Sequence, residues 1–344
     1  RLALGVDAKV AHGAGVAVVG TALAELTATA AAVSLAGCAG LQPATLESDV
    51  AAIKPTCEHY SSNAGDDASK LSLVKNTTGA PTVKINGKLD GKTITTQVFE
   101  QGKGIQFTGD QLVNMEYIGL NGGNGKVFQS SKFDGSDMAA QYVKANMGLD
   151  FCHALSGVTE GSTVGIVVPA VIAHGGKGIA DLKIGPTDAV VFVFKLAKIY
   201  LPRAIGAEQP QQSGFPSVVR APSGQPGITM LKTDAPTTQQ TAVLIKGHGA
   251  VVKAGQSVTV HYTGAVWGSK TVFDSSWSNG QPAQFQLKKG SVIDGFVDGI
   301  AGQTIGSQII TVIPPDKGYG NNAQSTIPAN STLVFVVDIL GVND

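Results

Sequence analysis

The sequence predicts an α+β protein made of two copies of one β-rich domain, and three observations carry that prediction. Gly supplies 44 of the 344 residues, roughly twice the usual share. Without a collagen-like period, that much Gly implies many tight turns and hence β-structure. The chain also matches itself at an offset of 145 residues, the mark of a duplicated domain. Finally, apolar residues alternate in period two along several short stretches such as Ser257–Tyr262, while Val292, Phe296, Val297 and Ile300 share one helical face. Each copy is therefore expected as a curved antiparallel β-sheet wrapped over a short α-helix.

Residues 1–37 read as an address. Arg1 and Lys9 give weak positive charge, offset in part by Asp7, and the run from Gly13 to Gly37 carries Glu25 as its only charge. A short apolar run ending in small residues is the pattern of a secretory signal. Its last residues, Leu35-Ala36-Gly37-Cys38, resemble a bacterial lipobox. That resemblance implies export, acylation of Cys38 and a lipid anchor on the extracytoplasmic face of the cell membrane, since two acyl chains give stable anchoring. The alternative is a retained transmembrane helix, because the run has about the 20 residues a span needs; Glu25 and several Thr make it a poor one. Residues 38–70 are rich in Ala, Ser, Asp, Pro and Thr without an apolar face, and are expected to be a tether. Export leaves Cys57 and Cys152 either bonded, closing a loop of about 95 residues worth roughly 4 kcal/mol, or as two buried thiols.

The first copy is expected over 71–200, a linker over 201–214 around Gln209-Pro210-Gln211-Gln212, and the second copy over 215–344. The register of the repeat is carried by Gly79/Gly224, Gly102/Gly247, Tyr117/Tyr262, Val127-Phe128/Val272-Phe273, Phe151/Phe296, Gly161/Gly306 and Pro169/Pro314. Only the last loop slips, by two residues, so that Ile184 meets Ile327 and Phe192 meets Phe335.

Charge and motif arithmetic exclude several functions. Lys plus Arg equals Asp plus Glu at 25 each, so a nucleic-acid partner, which needs net basic surface, is not expected. The six His are scattered without metal-ligand spacing, and no metal or cofactor is expected. Asn121-Gly122-Gly123-Asn124-Gly125 lacks the Lys-Ser/Thr and helix of a phosphate loop and reads as a hairpin turn.

The stretches Val258-Thr259-Val260-His261-Tyr262-Thr263-Gly264, Phe273-Asp274-Ser275-Ser276, Val292-Ile293-Asp294-Gly295-Phe296, Pro314-Pro315-Asp316-Lys317-Gly318-Tyr319-Gly320 and Ile327-Pro328 with Thr332–Phe335 follow one another over about 85 residues. In order and spacing this part of the second copy resembles an FKBP-type peptidyl-prolyl cis-trans isomerase. The resemblance implies a catalyst without covalent chemistry. The barrier is amide resonance, about 18–20 kcal/mol, and a dry aromatic pocket that favours the twisted amide over the more polar planar one lowers it. Carried over residue by residue, the walls are Tyr262, Phe273, Phe296 and Phe335, with Val292, Ile293 and Ile327 as the aliphatic side and Phe285 beside them. Phe296 takes the floor position, commonly Trp in the family. Asp274 and Tyr319 are the polar handles, and the Ile293 N–H is the donor to a substrate carbonyl. Implied partners are proline-containing polypeptides and the family's macrolide inhibitors.

Two departures stand out. Ala283-Gln284-Phe285 replaces a common Phe pair, and the loop after Tyr319 is polar. The first copy keeps Tyr117, Phe128, Phe151, Ile184 and Phe192 but has Gln129 for Asp274, His174 for Tyr319 and Met147-Gly148 for Val292-Ile293. It is expected to be weakly active or inactive, with His174 a solvated loop residue. The alternative to an isomerase of exported proteins is a non-catalytic scaffold or accessory subunit of a membrane protein complex.

Overall fold

The computed structural model describes residues 44–58, 66–145, 149–269 and 271–343. The expected signal segment 1–37 and Cys38 lie outside the described residues, as do Met147 and Gly148. Among the described residues no helix is long and apolar enough to cross a membrane.

Each copy is an antiparallel sheet, and the two sheets have the same strand order. In the first, Val127–Ser130, Gln111–Asn121, Val190–Ile199, Thr163–Val168 and Thr95–Glu100 lie side by side, and Ala139–Val143 also pairs with Gln111–Asn121. In the second, the matching order is Val272–Ser275, Ser257–Val266, Leu333–Asn343, Gln308–Ile313 and Gln240–Lys246, with Ala283–Gln286 on Ser257–Val266. The duplication read from the sequence is thus a duplication of topology. It includes a hairpin before each sheet, Leu71–Val74 with Thr82–Ile85 and Ser217–Arg220 with Pro226–Thr229. Asn121–Gly125 is the turn between two strands, closed by the Asn121 N–H donating to the Lys126 carbonyl at 2.9 Å.

Each sheet is covered on both faces. In the second copy Phe335, Val337 and Ile339 pack toward the helix Asp294–Ile300, while Val334 and Val336 pack with Val218 of the hairpin. The first nine residues of Leu333–Asn343 are buried in consequence. This explains why alternation in that stretch is only partial: a strand with two apolar neighbours has no polar side. The helix begins at Asp294 rather than at Val292, and Gly295 and Gly299 lie against Ile313 and Thr311, where an added Cβ would sit 2.3 and 3.1 Å from those side chains.

Two expected connectors are not free. The tether, expected over 38–70, is folded in its described part. Thr45 and Ser48 form a capping box that starts the helix Leu46–Ala51, Val50 is buried, and Cys57 is bonded to Cys152 with Cα atoms 5.8 Å apart. A six-residue helix burying one Val has no periodicity to display, and the covalent bond does what an apolar face would otherwise do. The linker, expected over 201–214, is partly structural as well. Leu201 is buried and its N–H donates to the Leu340 carbonyl, the Ala204 N–H donates to Asp338 Oδ2 at 2.8 Å, and Ala207–Glu208 is an edge strand on Gln240–Lys246. Its polar composition suits an edge strand, which must present side chains to water.

Candidate functional site

Ser257–Val266 positions the centre of the site. Tyr262 points to the helix side, and its backbone N–H is fixed by Ser276 Oγ at 2.8 Å. Ser275 Oγ meets Thr263 Oγ1 at 3.1 Å. The two serines of Phe273-Asp274-Ser275-Ser276 thereby pin the strand that carries Phe273 and Asp274. The Tyr262 hydroxyl donates to Asp274 Oδ2. Burial, reinforced by this carboxylate, holds the Tyr262 phenol well above its ordinary value, so Tyr262 acts as a neutral donor.

Around this pair the rings close edge to face. Phe296 lies 5.5 Å from Phe335, 5.3 Å from Phe285 and 6.5 Å from Tyr262, and Phe273 lies 5.5 Å from Phe335. Such contacts contribute beyond area burial and fix the walls of a cleft of about 500 Å³. Its lining brings together Tyr262, Phe273, Asp274, Phe285, Val292, Ile293, Phe296, Tyr319 and Phe335, and adds Gly290 and Ser291, which sequence reasoning missed. The Ile293 N–H makes no hydrogen bond among the described residues and sits at the end of the helix that carries Phe296. Ile327 is the exception. It is buried in the core beneath and is not on the wall. Its bridge to Gln324 folds the loop back on itself and turns the side chain into the core.

Behind the cleft lies a residue the resemblance did not single out. His261 is buried, its ring stacked on Trp277 at 3.8 Å and its Nδ1 2.9 Å from Ser276 Oγ. Burial pushes its pKa down to about 4. On the neighbouring strand, burial pushes Asp338 up to about 6, against the Ala204 N–H and Gln308 that favour its charge. The two act in opposite senses. The His261 contribution is present above pH 6.5 and is lost as pH falls toward 4. The Asp338 contribution is present below pH 3.8 and is lost as pH rises through 6. Each is worth roughly 3 kcal/mol. In urea titrations from pH 4 to 7, His261→Gln is expected to gain stability at the acid end relative to wild type, and Asp338→Asn to lose it. Parallel profiles for all three proteins would refute this.

The first copy has its own cleft, about 440 Å³, in the matching place. Phe151 stands 5.3 Å from Phe192 and 5.2 Å from Phe194. At the Asp274 position Gln129 Nε2 donates to the Tyr117 hydroxyl at 3.1 Å. His174, expected to be solvated, is instead a loop brace. Its Nδ1 accepts the Gly178 N–H at 3.0 Å, which leaves Nε2 to donate to the Asp188 carbonyl at 2.9 Å. Two backbone partners within its own loop are an alternative to water that spacing could not reveal. Among the described residues no cluster of three or more His, Cys, Asp or Glu could hold a metal.

Comparison with known proteins identifies the family. The family model described as FKBP-type peptidyl-prolyl cis-trans isomerase matches residues 103–197 and 249–340. An FK506-binding protein of Streptomyces anulatus is 39% identical over 99 residues, covering 28% of this chain and 80% of its own length. A probable FKBP-type isomerase of Haemophilus influenzae is 43% identical over 111 residues, 31% of this chain but only 45% of that protein. The crystal structure of FkpA from Escherichia coli aligns at 32% identity and a TM-score of 0.29 over 39% of this chain and 53% of its own. The chain belongs to the FKBP-type peptidyl-prolyl cis-trans isomerases and carries two such domains in tandem.

Proposed function

We propose that the second cleft speeds rotation about X-Pro bonds in exported polypeptides, held at the outer face of a bacterial membrane by lipid on Cys38, and that the first copy has little or no activity. The observation that supports this best is the ring-walled cleft of about 500 Å³ with Asp274 as the one carboxylate among its described lining residues. A prolyl ring on Phe296 leaves water behind, which removes the solvent preference for the planar, charge-separated amide. The Ile293 N–H, without a partner among the described residues, donates to a backbone carbonyl of the bound segment outside the rotating amide. Asp274 orients the Tyr262 hydroxyl, and the Tyr319 hydroxyl, on the cleft wall, remains for the rotating group. Slow prolines limit the folding of secreted chains, so export supplies the need.

The test is a protease-coupled isomerisation assay on the full chain. Asp274→Ala removes one charge-assisted contact and is expected to lower kcat/KM by about 10-fold or more, and FK506 is expected to compete. Equal rates for wild type and variant would sink the reading. The retained cleft with a lost carboxylate in the first copy favours a second reading, a scaffold for a membrane complex. A stoichiometric partner recovered from solubilised membranes would support it. Mass spectrometry of the N-terminal peptide tests the lipid.

A further inference from the structure

We propose that the first copy's cleft is a second polypeptide-binding site, which holds an apolar residue flanked by a carboxylate and does not turn its peptide bond. This goes beyond the isomerase reading and does not depend on it.

The two clefts match in place and invert in polarity. Among the described residues the second cleft is lined by one carboxylate, Asp274, and no cation. Among the described residues the first is lined by one cation, Lys144, and no carboxylate, with Asp110 near enough to act on the Tyr142 phenol. In the second copy the Lys of the corresponding stretch, Lys289, is drawn away by Asp294 at 3.6 Å and Asp298 at 3.9 Å. At the repeat offset those two positions are Leu149 and His153. Lys144 thus has no ion pair among the described residues, and its Nζ lies 6.0 Å from the Tyr142 ring centroid at the cleft, the outer limit of a cation–π contact.

The hydroxyl is inverted as well. Tyr262 spends its proton on Asp274. Tyr117 receives a hydrogen bond from Gln129, which leaves its own O–H free to donate to a bound carbonyl or carboxylate oxygen. An apolar chamber with an unpaired ammonium and an outward phenol donor suits an extended segment carrying an aliphatic or prolyl side chain beside Glu or Asp. His174, tied to its own loop, offers nothing at the place where Tyr319 serves the second cleft, so binding there has no rotating-group partner.

The test reads both clefts at once in the full chain. Backbone amide shifts are followed by NMR as acetyl-Glu-Leu-Pro-Glu-amide, or the same peptide with Gln for Glu, is added. The acidic peptide is expected to move Tyr117, Gln129 and Phe192. Its affinity at that cleft is expected to exceed that of the Gln peptide by about fivefold at low salt, as one exposed charge pair allows, and the gap is expected to close in high salt. Lys144→Gln removes the gap, and Gln129→Asp, also at the cleft mouth, reverses it. Three results would overturn the proposal: shifts confined to the surroundings of Tyr262 and Phe335, equal affinity of the two peptides at the first cleft, or peptide-free self-association by sedimentation that perturbs the same amides and so assigns the cleft to a second copy of this chain. Failure of isomerase activity would leave the first-cleft shifts untouched, so the two readings are scored separately.

Discussion

Gly264→Ala is expected to cut kcat/KM for prolyl rotation by roughly 100-fold while leaving the far-UV circular dichroism of the chain unchanged. Gly264 lies in Ser257–Val266 opposite both Asp274 and Phe335. A Cβ there would stand 2.6 Å from Phe273 Cζ and 2.8 Å from Phe335 Cε1, closer than carbon atoms pack. Backbone conformation is not the obstacle, since Ala suits a strand better than Gly. The rings must yield. Phe273 is half-exposed and can swing outward, but Phe335 is buried and held by Phe296 and Tyr262. Displacing the wall shifts the chamber by a fraction of an ångström to an ångström, and misplacements of that size cost about 10²-fold. The matched control is Gly119→Ala. It puts a Cβ 2.6 Å from Phe128 in the first copy and is expected to leave turnover at the second cleft intact. A Gly264→Ala enzyme with wild-type kcat/KM would show that the ring walls do not set the rate.

The same contact explains why so much of the site was legible. A bare backbone at Gly264 flanked by Tyr262, with Phe273 and Phe335 opposite, is a constraint of shape, and shape at fixed spacing is what a sequence records well. Asp274 was legible for the same reason, since it orients a ring, whereas the strand-pinning role of Ser276 came only with the structure. What stayed hidden was set by partners far along the chain. Ile327 reads as a wall residue until its loop folds back and turns it into the core. His261 alternates as an outward polar position, yet the hairpin brings Trp277 over it. Ala207–Glu208 reads as linker because an edge strand needs no apolar face. Val50 and Cys57 read as tether because one bond and one buried side chain hold that segment.

That segment is where loss of a single bond should matter most for stability. Cys57→Ala with Cys152→Ala is expected to lower the stability of the first copy by roughly 4 kcal/mol, since the cross-link closes 95 residues. On a domain of this size that is a fall in Tm of about 15 °C. Both cysteines are fully buried, and the Cys57 carbonyl accepts from Ser156 Oγ at 2.6 Å. Cys152 follows Phe151 on the helix beneath the first cleft, so the bond fixes the floor of that chamber. The other end of the segment reaches the second copy, where Asp49 Oδ2 meets His248 Nδ1 at 2.7 Å. Residues 44–58 therefore bridge the copies, covalently on one side and, on the other, by this polar contact, worth at most about 1 kcal/mol, and by Leu46, whose Cδ1 lies beside Gly306. The asymmetry makes the effect separable. Both Trp residues, Trp267 and Trp277, lie in the second copy, so Trp fluorescence reports that copy while circular dichroism reports both. The double variant, or wild type under dithiothreitol, should show an early transition by circular dichroism with the Trp transition close to its original midpoint. A fall in both transitions together would mean that the strap carries the two copies as one cooperative unit, and no change in either would mean that the bond contributes nothing to the folded state.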